Sequence, residues 1–152
     1  MLKPELVSFI QEGVAIMVGT RNQELLASGT RGYGIYVHDN LQELTVYLNA
    51  QAFLAKKENL LANGEMSLAL ARPTDYRSIQ IKGKYLRYRD VDDRDKILIQ
   101  RYLNLFVDQV VKASADRLPY LRMPSLPAVA VTMKIEMVYN QTPGSSSTEI
   151  IA

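Results

Sequence analysis

The chain has no cysteine and no tryptophan in 152 residues, and a single histidine, His38. Without cysteine there are no disulfides, no thiolate nucleophile and no thiolate metal site. A Ser-His-Asp hydrolase would have to work through His38, and no sharp serine-nucleophile motif accompanies it. His38 stands at an expected strand end beside Asp39-Asn40, where a surface turn residue is the simplest reading. No carboxylate/histidine cluster has ligand spacing. The acidic run DVDDRD lacks the central glycine and closing glutamate of a calcium loop, so it reads as a helix start and no metal is expected. No apolar run approaches the roughly 20 residues that cross a bilayer. The first 13 residues lack the apolar block and cleavage site of a secretory signal. The expectation is a soluble, cytoplasmic protein with no membrane partner. Charge of one sign is also missing: 18 basic residues face 16 acidic ones, for a net charge of +2, too slight to argue for nucleic acid.

What is present is apolar alternation. With 47% apolar residues, the chain can build one core, and residues 1–152 read as a single domain. Pro4 suits a first helical turn, and Leu6, Phe9 and Ile10 give one stripe, so a leading helix is expected to end before Gly13. Strands are expected at 14–20, at 28–39, where glycines permit curvature, and at 43–49, where Leu44, Val46 and Leu48 alternate with Thr45 and Tyr47. A helix over 50–63 stops at Asn63-Gly64. A strand at 65–71 turns Met66, Leu68 and Leu70 inward. A turn at 73–75 leads into a strand from Ser78 to Arg89, with Ile79 and Ile81 on one face and Ser78, Gln80, Lys82 and Lys84 on the other. The run from Asp90 to Lys112, acidic first and basic last, complements a helix dipole and places Ile99, Tyr102, Leu103, Phe106 and Val110 on one stripe. Residues 113–127 read as an irregular crossing. The last strand, 128–139, turns Val129, Val131, Met133 and Ile135 to one side. The polar tail, 142–152, is expected to be mobile or draped on a partner. Six strands with short links predict a mainly β fold, an antiparallel barrel with flanking helices, because closure removes exposed edges.

The basic strand interleaves Arg77, Lys82, Lys84, Arg87 and Arg89 with Tyr76, Tyr85 and Tyr88. Such a pattern can hold single-stranded nucleic acid, but the modest net charge and the short stripe favour a half-solvated strand. Arg31 lies among glycines, where the backbone lets a ligand approach, and a curved strand with one exposed arginine is the plainer alternative. Lys56 and Lys57 read first as solubilising helix residues.

The succession VGTRN, TRGYGIYV, YLNAQAF, LLANGEMSLAL, YRSIQIKG and YNQTPG resembles the pyridoxamine 5′-phosphate oxidase-like family of FMN-binding split barrels, in its oxidase-related branch. The resemblance implies a six-stranded antiparallel barrel of Greek-key type and a homodimer. It also implies FMN in a groove between subunits and flavin-dependent oxidoreduction of an unidentified small molecule. It further implies that Gln80 meets the flavin ring edge and that Arg31 and Lys56 meet the phosphate, with Thr30 and Ser78 as further cofactor contacts. The family's serine-arginine pair before the helix lysine is replaced by Leu54-Ala55. Its C-terminal substrate-binding tryptophan and arginine have no counterpart, so pyridoxine-phosphate oxidation itself is not expected. Two alternatives stay open: a split barrel that has lost the cofactor and serves as a binding module, and a haem binder using His38.

Overall fold

The structure is a computed structural model; it describes residues 2–113, 116–120, 123–144 and 149–152. Six antiparallel strands close into a barrel in the order β1-β2-β3-β6-β5-β4. They are β1 (Ala15–Arg21), β2 (Ala27–Val37), β3 (Glu43–Asn49), β4 (Glu65–Ala71), β5 (Ser78–Asp90) and β6 (Ala128–Asn140). Three α-helices flank them: α1 (Pro4–Gln11), α2 (Ala50–Asn63) and α3 (Asp93–Lys112). Alternation puts Ile16, Val18, Val46, Leu68, Leu70, Ile79, Ile81, Val131 and Met133 inside, all essentially excluded from solvent. The mainly β barrel expected from the period-two pattern is what the chain forms.

Local chemistry fixes the helix ends. Pro4 opens α1. Asn49 caps α2 by accepting from the amides of Gln51 and Ala52, and Gly64 ends it in the left-handed conformation at φ +69°. Asp92 and Asp95 form a reciprocal capping box at the start of α3. The apolar stripe of α3, through Ile99, Tyr102, Phe106 and Val110, is buried.

One strand is buried on both sides, and one expectation is corrected. On β3, Thr45 and Tyr47, which alternate with Leu44, Val46 and Leu48, are buried like them. Helix α3 covers their side: Tyr47 packs with Ile99 and Tyr33, and its hydroxyl donates to Asp95 at 2.8 Å. In β6, Ile135 was expected on the inner row, but it is only partly buried and Val138 lies inside. The pairing with β5 shifts between Lys82–Met137 and Gly83–Ile135, so Glu136 is an extra residue and the strand changes phase.

Strand β3 pairs with β6 only over residues 128–134. Beyond that, the described end of the tail takes the vacated edge. Val138 and Asn140 donate to the carbonyls of Ala152 and Glu149, and Ile151 donates back to Val138. Ile151 also packs on the core. Part of the tail expected to be mobile, residues 145–148, lies outside the described residues.

Candidate functional site

The outer faces of β1, β4 and β5 form an open floor. Antiparallel partners share a face, so the registers give rows that run across strands. One row is Arg31–Met17–Ala69–Gln80–Tyr139 and the next is Gly29–Gly19–Ser67–Lys82–Met137. These positions are small or flexible, and Met17 is 45% exposed. Two cavities lie on the floor. One, of about 490 Å³, is lined by Gly19, Gly29, Ser67, Gln80 and Lys82, with Arg21 and Glu65 at its side. The other, of about 350 Å³, is lined by Ala15, Met17, Ala69, Ser78, Gln80 and Gln141. Gln80 belongs to both, at the middle of a continuous groove. A Cβ on Gly19 would stand 2.6 Å from Ser67 Oγ, so the floor is as flat there as side chains allow.

The groove carries more cation than anion. Glu65 pairs with Lys84; hydrogen bonding from that lysine holds its carboxyl below the usual range, and Arg21 adds to the effect. Lys82 has no carboxylate partner among the described residues and sits 5.2 Å from the Tyr139 ring. The sequence reading did not single out Arg21, Met17, Ser67 or Ala69. The outward alternation of Ser67 and Ala69 between Met66, Leu68 and Leu70 was the available signal.

The other expected site residues are spread around this groove. Ser78 lines it, but its hydroxyl donates to the Tyr76 carbonyl and its amide to Thr142. Arg31 occupies the same outer row as Gln80, three strands away, about 14 Å at ordinary strand spacing. Its guanidinium lies 5.4 Å from the Phe106 ring under α3, and its Nη1 is buried with no acceptor among the described residues. Thr30 pairs with the interior Val18, on the opposite face. Lys56 donates to Ser28, itself a residue of the cavity lining. The structure thus brings Gln80, Ser78 and Lys82 together and leaves Arg31, Lys56 and Thr30 outside the cavity lining. The cations once weighed for nucleic acid are engaged separately: Lys84 with Glu65, Arg87 with Glu43, Arg89 with Asp95, and Arg77 against Phe9. Among the described residues, no group of three or more His, Asp or Glu is placed to hold a metal, and no helix is long and apolar enough to cross a membrane.

No protein-family model matches the chain, and no curated protein matches it in sequence. Its shape does match solved structures. HupZ of Group A Streptococcus superposes with a TM-score of 0.58 at 14% identity, covering 97% of this chain and 99% of that one. A protein of Lactobacillus delbrueckii, named as a candidate pyridoxamine 5′-phosphate oxidase, gives a TM-score of 0.56 at 14% identity over 91% and 93% of the two chains. An FMN-binding protein of Syntrophomonas wolfei gives 0.50 at 9% identity over 88% and 84%. The likeness is one of fold: this chain has the antiparallel split barrel of the pyridoxamine 5′-phosphate oxidase-like proteins.

Proposed function

We propose that the chain is an FMN-binding flavoprotein of the pyridoxamine 5′-phosphate oxidase-related kind, a homodimer that carries out oxidoreduction on a small molecule. The observation that carries this reading is the groove centred on Gln80. It is flat, lined by small residues, edged by cations of which Lys82 has no carboxylate partner among the described residues, and set on the outer face of the barrel. A planar tricyclic ring suits a floor built from Gly19, Gly29, Ser67 and Ala69. The Gln80 amide, half-buried and central, can donate and accept toward a polar ring edge. Lys82 and Arg21 supply charge-assisted donors for a negative end, and Arg31, with its buried orphan Nη1, lies further along the same row. Lys56, held by Ser28, stiffens the β1–β2 hairpin from the other face.

The flavin, when bound, supplies the hydride and electron chemistry. The chain's part is to bind, orient and exclude water. That role needs no catalytic acid, base or nucleophile. The open floor, with Met17 exposed in a single chain, suits coverage by a second copy.

The test is titration of FMN into the purified protein, followed by quenching of flavin fluorescence and by its absorption bands. Saturable binding that weakens about tenfold in Gln80→Ala and in Lys82→Ala supports the groove. No binding at tens of micromolar FMN rejects the cofactor. A Soret band on haem addition, lost in His38→Ala, would favour the haem-binding alternative.

A further inference from the structure

A second polar cavity lies seven residues further along β5, away from the groove. We propose that it binds a phosphate group, either free or at the end of a small monoester. The cavity, about 190 Å³, sits between the outer faces of β3, β5 and β6 and the first turn of α3. Its floor is polar where a sheet covered by a helix is normally apolar. Thr45 and Thr132 are both buried and their hydroxyls are 2.8 Å apart. His38 Nε2 is 2.8 Å from Thr45 Oγ1. Three guanidiniums, of Arg87, Arg89 and Arg94, line the same space.

The backbone is shaped to bring two of them there. Between Tyr85–Met133 and Arg87–Thr132 the β5–β6 register shifts, which makes Leu86 an extra residue. Without that bulge Arg87 would oppose Val131 and face the core. With it, Arg87 opposes Thr132 and Arg89 opposes Ala130, so both side chains turn outward beneath α3. A bulge that re-aims side chains in this way is a built feature rather than a defect.

The carboxylates near the cavity engage Arg87 and Arg89 but leave Arg94 without an ion pair among the described residues. Asp95 accepts from the Tyr47 hydroxyl, from Arg89 and from the Asp92 amide. Asp92 accepts from the Asp95 amide. Glu43 is held loosely, 3.4 Å from Arg87 and 3.6 Å from His38. Arg94 has no ion-pair partner among the described residues and stands 6.0 Å from the Tyr36 ring. With Glu43 counted, three guanidiniums face three carboxylates, and Arg94 is the guanidinium left without an ion-pair partner among the described residues, beside the hydroxyls of Thr45 and Thr132. A tetrahedral oxyanion can take charge-assisted donors from Arg94 and Arg87 and a hydroxyl from the Thr45–Thr132 pair. The volume leaves room for a short organic group beyond it.

His38 is the only histidine, so its imidazole signals report on this cavity without ambiguity. The experiment is a titration of inorganic phosphate, and separately of glycerol phosphate, into the ¹⁵N-labelled full chain at constant pH. Chloride holds ionic strength constant. A saturable shift of the His38 signals is expected, weakened about tenfold in Arg94→Gln and in Arg87→Gln and unchanged in Gln80→Ala. Both substituted arginines are exposed, so these variants keep the fold. Tighter binding of inorganic phosphate identifies the free ion, and tighter binding of the ester identifies a monoester. No saturable shift in the wild type, a shift reproduced by chloride alone, or equal affinity in the Arg87→Gln/Arg94→Gln double variant overturns the proposal.

Discussion

Asp95 accepts from three neighbours at once: the Tyr47 hydroxyl, the Arg89 guanidinium and the Asp92 amide. Its side chain is 5% exposed, and burial alone would push its carboxyl up. Hydrogen bonds from Arg89, the Asp92 amide and Tyr47 outweigh burial and hold it well below the ordinary carboxylate range. A carboxyl depressed on folding contributes stability that is present above its unfolded value, about 4, and is lost as pH falls through the lower folded value. Asp95→Asn is therefore expected to cost about 2 kcal/mol at neutral pH and to flatten the dependence of Tm on pH between about 4 and 2, as a set of thermal melts would show. An unchanged acid limb in the variant would contradict this. The single residues legible from sequence were those whose setting is local, such as Gly64 at its helix end and Gln80 on an alternating strand. The role of Asp95 was not legible, because Tyr47 lies 48 positions away and only the closed barrel brings the two together. Arg31 failed to reach the groove lining for a similar reason: α3, distant in sequence, captures it against Phe106.

Elements were read more fully than residues, because hydrophobic period is a property of the segment itself. All six strands and the three α-helices form where the pattern placed them, although Leu54 and Leu61 of α2 are exposed. What period could not show was phase slippage. The extra residues Glu136 and Leu86 each reset which face a strand presents, and nothing in the alternation of KYLRYRD marks the break. Near the first slip, Gly83 approaches β6 so closely that a Cβ would sit 1.9 Å from the Lys134 carbonyl oxygen. Gly83→Ala is expected to lose about 2 kcal/mol by forcing the strands apart, readable as a lower urea midpoint with unchanged slope. The tail strand makes a second prediction. Deleting residues 150–152 removes three backbone hydrogen bonds to Val138 and the packing of Ile151. The expected loss is about 2 kcal/mol, or about 5 °C in Tm, together with association through the bared β6 edge. A truncated chain that melts like the full one would show that the tail only rests on the sheet.

At the scale of the whole molecule, the barrel has a covered side and a bare one. Helix α3 shields the outer faces of β2 and β3, whereas the faces of β1, β4 and β5 keep Met17, Ala69 and Gln80 open. If a second copy covers that floor, light scattering should give twice the 17.1 kDa chain mass, and Met17→Lys should shift the mass toward one chain by placing a charge in the contact. The proposals of a dimer and of a flavin rest on the resemblance, since neither would leave a period in the sequence. Calorimetric or fluorescence titration of FMN, wild type against Gln80→Ala, bears most directly on the central claim that the Gln80 groove seats a flavin. The account predicts saturable micromolar or tighter binding that the substitution weakens about tenfold. Wild-type protein that takes up no FMN, or a Gln80→Ala protein that binds it equally well, would contradict it.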